Sequence, residues 1–232
     1  MVTGASSGVG RALSIALAQE GATVYGIGRN STRLEETVAA ARKFSSAVSI
    51  PTDLSDESGV LNLVRQFEEK DSRVDILVHS AGVIHQDPLE RARVEDLDSQ
   101  YAVNVRAPYV LTQGLLPSLL KARGQVVFIN SSVGLSVRRA DVGQYSATKH
   151  ALKAIADSLR EEVNPQGIRV LSVYLGRTAT PMQEALSRHE GRAYVVESLL
   201  QPTDVASVVL NALMLPPTAE VTDISIRPMI KG

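Results

Sequence analysis

The N-terminal stretch places a Gly-rich turn between a short apolar strand and an amphipathic helix. Residues 1–3 (MVT) run into residues 4–10 (GASSGVG), and apolar side chains then recur at helical spacing as far as Gly21. Residues 23–27 form a second apolar segment with strand-like composition. A strand, a Gly-rich turn, a helix and a second strand make a βαβ unit, which requires a parallel sheet.

The glycines of this turn have separate roles in binding a dinucleotide. Gly4 permits a tight turn, Gly8 lets a pyrophosphate approach the backbone, and Gly10 lets the helix pack against the sheet. The helix N-terminus offers free N–H groups and a partial positive charge to the phosphates. The turn therefore predicts a cofactor site that includes Gly4, Ser6, Ser7, Gly8, Val9 and Gly10.

The same turn also matches the G-x-S-x-G pattern of a hydrolase nucleophile, centred on Ser6. Such a serine follows a central strand well inside the chain, with an acid and then a His behind it. Ser6 lies at the start of the chain, and the last histidine, His189, lies in a polar stretch. The hydrolase interpretation is the weaker alternative.

Strand-like and helix-like segments alternate along the rest of the chain. Further strands are predicted at 47–50, 74–78, 125–129, 169–174 and 222–226. Further helices are predicted at 57–70, 94–110 with an extension towards 120, the segment ending before Pro165, and 202–214. This alternation predicts an α/β fold with helices on both faces of a parallel sheet, in one domain of residues 1–232. The polar segment 183–201 is predicted to be a flap over the substrate.

Composition excludes several kinds of site. The 232 residues include no Cys, so disulfides and thiolate chemistry are excluded, and the four His have no metal-like spacing. A net charge of -1 without a basic run disfavours nucleic-acid binding. No apolar run reaches the roughly 18 residues of a membrane span, and no signal peptide is recognisable. We expect a cytoplasmic protein.

Arg29 stands at the end of the second predicted strand. NAD-binding proteins usually have an acid there for the ribose 2′-hydroxyl, whereas an Arg accommodates a 2′-phosphate. No acid follows before Glu35, so Arg29, with Asn30 and Arg33, favours NADP(H) over NAD(H). The alternative for Arg29 is a solvated loop residue.

Two helix starts near this region are also predicted. The second helix begins at Ser31 or Thr32, with Thr32 and Glu35 as a capping box. Asp53 ends the third strand and is either a turn residue or a ligand contact. Asp56 could cap the following helix equally well, which would leave Asp53 free.

Small and polar residues follow the later strands as well. Ala81 and Gly82 follow the fourth strand, Ser131 and Ser132 the fifth, and residues 176–180 the sixth. Ligands of open parallel sheets bind at the carboxyl ends of the strands, so this clustering predicts one site. Asn104 lies inside a predicted helix, where Asn is a poor helix former, and is either functional or merely a satisfied polar residue.

Tyr145 and Lys149 are four residues apart on a predicted helix and therefore share one face. A Lys ammonium beside a phenol favours the phenolate, and a phenol with a lowered pKa can exchange a proton with a substrate. Taken alone, the pair is more often two surface residues that share a helix face by chance. The strand-end cluster around it favours the catalytic interpretation.

Together these motifs resemble the short-chain dehydrogenase/reductase family. They are Thr3-Gly4-x-x-x-Gly8-x-Gly10, Asp53, Ala81-Gly82, Asn104, a Ser after strand five and Tyr145-x-x-x-Lys149. The resemblance covers nearly the whole chain. It implies a Rossmann-type, doubly wound parallel sheet of about seven strands and an oxidoreductase that uses a nicotinamide cofactor.

The resemblance also implies residue roles. Tyr145 would be the acid/base, Lys149 would lower its pKa and hold the nicotinamide ribose, and Ser132, 13 residues before Tyr145, would bond the substrate oxygen. Asn104 would anchor a water. The remaining cofactor contacts would be Asp53, Leu54, Ala81, Gly82, Gly176, Thr178 and Thr180, with no metal.

The chain departs from the family pattern at several positions. Ser80 replaces an Asn, Leu175 replaces a Pro and thereby loosens a turn, and Ser7 replaces a basic residue common in NADP users. The first strand is a stub, so either residues precede Met1 or this strand is short.

These observations predict NADPH-dependent reduction of a small-molecule carbonyl, or oxidation of a secondary alcohol, by a homodimer or homotetramer. The alternative is a non-catalytic NADP(H)-binding sensor or scaffold. The substrate would be set by residues 84–89, 135–142 and 183–201. Possible anion contacts, or solvated surface residues, are Arg138, Arg139, Arg177 and Arg188.

Overall fold

Seven parallel strands form one sheet, in the order β3-β2-β1-β4-β5-β6-β7. The computed structural model describes residues 1–69, 73–137 and 139–230. The strands are β1 Val2–Thr3, β2 Val24–Gly28, β3 Ala47–Pro51, β4 Ile76–His79, β5 Gln125–Ser131, β6 Arg169–Leu175 and β7 Asp223–Ile226. The predicted doubly wound Rossmann-type sheet of seven strands is confirmed, with its topological switch between β1 and β4.

Eight α-helices connect and cover these strands in the described part of the chain. They are α1 Gly8–Gln19, α2 Ser31–Ala41, α3 Glu57–Glu69, α4 Val94–Tyr101, α5 Ala107–Ala122, α6 Gly143–Val163, α7 Pro181–His189 and α8 Pro202–Leu213. Lys70, the last residue of the predicted third helix, lies outside the described residues.

The helices form two layers, one on each face of the sheet. One core joins α1, α2 and α8 to side chains such as Val127 of β5, and the other joins α3, α5 and α6 to Val126 and Phe128. Alternate residues of β5 therefore enter opposite cores, as the pleat of a strand requires. Burial on both faces explains why the central strands are almost continuously apolar.

The long helix predicted from residue 94 towards 120 contains an irregular turn. A π-helical segment, Ala102–Arg106, lies between α4 and α5 and contains Asn104. Single π-turns inside α-helices are rare and frequently lie at functional sites. The poor helix propensity of Asn104 thus coincides with a real interruption.

One predicted cap is wrong and another is confirmed. Asn30, rather than Ser31 or Thr32, caps α2, and its Oδ1 accepts the N–H of Arg33 at 2.9 Å. Glu35 is no part of a capping box, because its carboxylate accepts the Ser49 hydroxyl on β3 at 2.6 Å. Asp56 does cap α3, since it accepts the N–H of Gly59 at 3.1 Å.

In the described part of the chain, no helix has both the length and the apolar character that crossing a membrane requires.

The contact between α3 and α5 depends on Gly114. A Cβ at this position would lie 2.4 Å from a methyl group of the buried Val64. Gly114→Ala should therefore lower the free energy of unfolding by about 1–3 kcal/mol through overpacking, despite the better helix propensity of Ala. Urea denaturation measures this loss. In the double variant with Val64→Ala the loss should be smaller than the sum of the single losses, and simple additivity would contradict the packing account.

Candidate active site

A cleft of about 510 Å³ opens at the carboxyl ends of the strands. It spans the topological switch between β1 and β4, the usual ligand position in such sheets. All the residues predicted to bind a cofactor line it: Gly4, Ser6, Ser7, Gly8, Val9, Gly10, Arg29, Asp53, Leu54, Ala81, Gly82, Tyr145, Lys149, Gly176, Thr178 and Thr180. Ser132 also lines the cleft, whereas Asn104 lies behind its wall.

The Gly-rich turn is packed too closely for side chains. A Cβ on Gly4 would lie 2.7 Å from the backbone nitrogen of Ala81, and Gly8 has a φ of +54° with a would-be Cβ 2.8 Å from Thr180. The Thr3 hydroxyl ties this turn to the end of β4, because it accepts the N–H groups of Ser80 and Ala81 at 3.1 and 3.2 Å. The turn is therefore held rigidly against the next strand.

The N-terminus of α1 faces the cleft from this turn. The helix begins at Gly8, its N-cap residue Ser7 makes no capping hydrogen bond, and no acidic residue lies in its first turn. N–H groups and a helix dipole at such an end attract phosphate oxygens. These features fit the pyrophosphate of a dinucleotide.

Arg29 and Asp53 stand together at the ends of β2 and β3. Hydrogen bonds from the hydroxyl and the N–H of Ser55, at 2.7 and 2.9 Å, lower the pKa of Asp53, and the charge of Arg29 lowers it further. Asp53 is therefore ionised and already engaged through one oxygen, rather than wholly free as expected. Arg29 is exposed on the cleft wall, where it can meet an anionic group.

Tyr145 and Lys149 lie on α6, one turn apart, as predicted. The Lys149 Nζ lies 5.8 Å from the centre of the Tyr145 ring and donates a hydrogen bond to the Ile129 carbonyl of β5 at 3.1 Å. Lys149 is buried, and burial lowers the pKa of its ammonium to about 8. Its position is set by β5 as much as by its own helix.

The expected lowering of the Tyr145 pKa is absent from this structure. Burial raises the pKa of the phenol to about 12, and a hydrogen bond from Ser131 only partly opposes that rise. The desolvation of a phenolate outweighs its attraction to the Lys149 ammonium, which is occupied with Ile129. The phenol is therefore protonated at neutral pH.

The structure places Ser131, not Ser132, against the Tyr145 hydroxyl. Ser131 is the last residue of β5 and makes the hydrogen bond that acts on the Tyr145 phenol. Ser132 begins a short 3₁₀ turn, Ser132–Gly134, and is exposed. The spacing of 13 residues selects Ser132, whereas the hydroxyl that acts on the Tyr145 phenol in this structure is that of Ser131, 14 residues before it. The catalytic role of either serine stays a prediction.

Asn104 is fully buried and joins the wall of the cleft to α6. Its side-chain amide donates to the Val83 carbonyl at 2.9 Å and to the Thr148 hydroxyl at 3.1 Å, and its oxygen accepts the Val83 N–H at 2.9 Å. These bonds fix the loop that follows Gly82. Both side-chain N–H donors are committed to this clamp. The role of Asn104 in anchoring a water stays a prediction.

Two contributors were not singled out from the sequence. Asn130 donates to the Lys149 carbonyl at 3.1 Å and accepts the N–H of Ser131, so it joins the end of β5 to α6. The sequence signal that could have identified Asn130 is its position directly before Ser131 and Ser132 at the end of the strand. Glu190, at the end of α7, also lines the cleft, and nothing in its polar sequence context distinguishes it.

The predicted flap is divided between two surfaces. Met182, Gln183, Leu186 and Glu190, all within or next to α7, line the cleft. Residues 196–201 instead line a second cavity together with residues 227–230. The flap that faces the site is therefore α7, which begins two residues earlier than predicted.

Residues 1–191 match the family described as short chain dehydrogenase. An uncharacterized oxidoreductase of Staphylococcus aureus (strain USA300) is 31% identical over 230 residues, covering 99% of this chain and 96% of the relative. This chain belongs to the short-chain dehydrogenase/reductase family. It is thus an oxidoreductase by family, as its motifs predicted.

Solved structures of the family superpose closely on this chain. An alcohol dehydrogenase from the archaeon Thermococcus sibiricus, complexed with 5-hydroxy-NADP, has a TM-score of 0.89 at 24% identity, covering 100% of this chain and 96% of that one. A metagenomic short-chain oxidoreductase in complex with NADP has a TM-score of 0.84 at 27% identity, covering 99% and 96%. These likenesses confirm the fold.

One departure from the short-chain dehydrogenase/reductase pattern, Leu175, has local compensation, and the buried His79 at the end of β4 has a structural role. The turn after Leu175 is not loose, because the N–H of Gly176 donates to the Ile226 carbonyl at 2.8 Å. His79 is buried, stacks on Phe128 with ring centres 5.0 Å apart, and contacts the Thr112 hydroxyl at 2.8 Å. Burial lowers the pKa of His79 to about 3, so it is a neutral packing residue.

In residues 1–69, 73–137 and 139–230, no group of three or more His, Asp or Glu side chains is placed to hold a metal ion.

Lys149 should titrate well below the usual range of a lysine side chain. As the pH rises through about 8, its ammonium should lose its proton, because burial disfavours the charged form. Carbon-13 NMR of protein labelled at the lysine ε-carbon measures this, and Lys149→Met identifies the resonance. Titration of every lysine above pH 10 would contradict the effect of burial.

Proposed function

We propose that this protein reduces a small-molecule carbonyl with NADPH, or oxidises the corresponding secondary alcohol with NADP. The observation that carries the proposal is the meeting of Tyr145, Lys149 and Ser131 in the cleft that also holds the Gly-rich turn and Arg29. Acid/base groups and a dinucleotide cradle share one cavity. Neither a hydrolase centred on Ser6 nor a simple binding protein needs that combination.

The cleft offers a continuous path for the cofactor. Arg29, Asp53 and Leu54 at β2 and β3 would hold the adenosine half, with Arg29 facing the 2′-phosphate. The turn of residues 4–10 and the N-terminus of α1 would bind the pyrophosphate. Gly176, Thr178 and Thr180 after β6 would enclose the nicotinamide end. When bound, the nicotinamide supplies or accepts the hydride.

The protein's own part in the reaction is placement and proton transfer. In the direction of reduction, Tyr145 donates its phenolic proton to the substrate oxygen as that oxygen gains negative charge. Ser131 hydrogen-bonds the same oxygen and, through its contact with Tyr145, holds the phenol in position. Lys149 places a positive charge beside the phenolate that remains, which stabilises it.

Asn104 and Asn130 act as positioning residues in this scheme. Asn130 fixes Ser131 relative to the backbone of Lys149. Asn104 fixes the loop after Gly82 relative to Thr148 on α6. A tightly held geometry of this kind is what allows oriented groups to accelerate a reaction.

The raised pKa of Tyr145 favours the reductive direction at neutral pH. A phenol with a pKa of about 12 is fully protonated at pH 7 and ready to act as an acid. Oxidation of an alcohol needs the phenolate, which is the minor form there. This supports a reductase assignment.

Preference for NADP(H) rests on Arg29 and on one similarity. The metagenomic short-chain oxidoreductase at 27% identity is described in complex with NADP. We also propose a cytoplasmic homodimer or homotetramer, as the family resemblance implies.

The catalytic assignment is tested with NADPH and a panel of carbonyls. Tyr145→Phe should lower kcat on the order of a thousandfold and Ser131→Ala on the order of a hundredfold, as expected for loss of an acid and of an oxygen-binding donor. Ser132→Ala, the matched control, should change it by less than about threefold, because its hydroxyl does not contact the phenol.

A large loss in Ser132→Ala with a mild one in Ser131→Ala would overturn the choice of serine. NADPH binding is measured by fluorescence. If NADPH binds tightly but no carbonyl is turned over, the non-catalytic sensor is favoured instead.

Arg29 should determine the choice between the two cofactors. Arg29→Ala should raise KM for NADPH roughly tenfold or more and leave KM for NADH nearly unchanged, because only NADPH carries the 2′-phosphate. Steady-state kinetics with both cofactors measures the ratio. Arg65→Ala, an exposed arginine of α3 that contacts Asn62, is the control. Equal losses with both cofactors would refute a role in phosphate recognition.

A further inference from the structure

A cluster of charged side chains lines the cleft on the substrate side. Arg139 follows β5, Arg177 follows β6, and Glu190 ends α7. Strands β5 and β6 are neighbours, and Tyr145 lies on the helix that connects them. Arg29 stands at the end of β2, on the far side of β1. The cluster therefore belongs to the catalytic half of the cleft, away from the adenosine half.

Glu190 is the centre of this cluster. Its side chain is only 8% exposed, and one carboxylate oxygen accepts a hydrogen bond from Arg139 at 2.8 Å. The other oxygen accepts one from Arg177 at 2.8 Å and lies 3.6 Å from the more exposed Arg192. Both oxygens are thus taken by arginines from different loops.

The carboxylate of Glu190 remains charged despite its burial. Burial alone would raise the pKa of Glu190, but the hydrogen bonds and charges of Arg139 and Arg177 outweigh that effect and hold the pKa below its usual range. A buried carboxylate of this kind is stable only because its cationic partners are close. Those partners are correspondingly unavailable to another anion.

The inner part of the cluster is electrically neutral. Asp141 makes a second pair with Arg139, through Nη2 at 2.8 Å and Nε at 3.2 Å. The positive charges of Arg139 and Arg177 are therefore matched by the negative charges of Asp141 and Glu190. Two arginines that would otherwise form an anion site are neutralised from within the protein.

A buried polar group that lines the cleft, Gln86, carries no charge. Gln86 lines the cleft, is 7% exposed, and its side-chain oxygen has no hydrogen-bond partner among the described residues. A buried polar atom without a partner is unfavourable, and a ligand group can satisfy it. This amide oxygen accepts a hydrogen bond from a ligand hydroxyl or N–H group and repels a carboxylate oxygen.

We propose that Glu190 is a specificity-determining residue that restricts the cleft to uncharged carbonyl substrates. It occupies Arg139 and Arg177 and, with Asp141, cancels their charge, so these arginines offer a substrate carboxylate no net positive charge. Gln86 offers the neutral substrate a hydrogen bond beyond its reacting carbonyl. This inference rests on the proposed carbonyl reductase function, because it concerns the substrate of the same site.

The test compares a neutral and an anionic form of one carbonyl compound. Methyl acetoacetate and acetoacetate are titrated calorimetrically into enzyme saturated with NADP, a combination in which no hydride can be transferred to the ketone. The wild type should bind methyl acetoacetate more tightly. Glu190→Gln, which keeps the shape and removes the charge, should improve acetoacetate binding roughly tenfold or more relative to the ester.

Two further variants separate charge from structure. Glu184→Gln removes an exposed carboxylate from the same helix, paired with Arg188 at 3.5 Å outside the cleft, and should leave the ratio unchanged. Glu190→Gln combined with Arg177→Gln should lose the gain, because the freed guanidinium is then absent. If the double variant loses the gain in acetoacetate binding, the Arg177 guanidinium is the group that receives the carboxylate.

Several outcomes would overturn the inference. Equal weakening of both ligands in Glu190→Gln would show that Glu190 only fastens α7. No improvement in acetoacetate binding, or tighter binding of acetoacetate than of the ester by the wild type, would refute the charge mechanism. Failure of the wild type to bind NADP at all would refute the proposed function instead, and the saturation step detects it separately.

Discussion

The close approach of α6 to the end of β5 is the contact on which the site depends. A Cβ on Gly134 would lie 2.7 Å from the Asn130 side chain and 3.0 Å from the Lys149 carbonyl, so only glycine fits there. Across the same junction, the Asn130 side chain donates to the Lys149 carbonyl, and the Lys149 ammonium donates to the Ile129 carbonyl. Because of this junction, Ser131 on the strand meets Tyr145 on the helix. The chemistry of the cleft follows from one strand-to-helix contact.

Burial acts on Tyr145, Lys149 and Glu190, but their partners decide the result. It keeps Tyr145 protonated and makes Lys149 easier to deprotonate, since neither has a counter-charge that matches its loss of water. Glu190 is as buried in its side chain, yet it stays ionised because two arginines bond it. The same cost of desolvation therefore leaves a protonated phenol at Tyr145 and a fixed anion at Glu190.

Predictions from sequence succeeded where the relevant interaction is local. The βαβ pattern, the strand-end positions of Arg29 and Asp53, and the shared face of Tyr145 and Lys149 depend on spacing within single elements. Such predictions failed where a contact with a neighbouring helix or strand decides which hydrogen bond a side chain makes. Asn30, not Thr32, caps α2, and Glu35 bonds Ser49 of β3 instead of completing a capping box. Which of the two adjacent serines acts on the Tyr145 phenol likewise depends on how the end of β5 meets α6.

The sequence by itself determined the architecture and the positions of the Gly-rich turn and of the Tyr145–Lys149 pair, because apolar periodicity and Gly-rich turns encode elements and their ends. Only the tertiary structure decided which serine faces Tyr145, the direction of the Tyr145 pKa, and the pairing of Arg139 and Arg177 with Glu190. Each of these depends on distances between groups far apart in the chain and on their removal from water. Neither the distances nor the loss of water can be derived from the order of the residues alone.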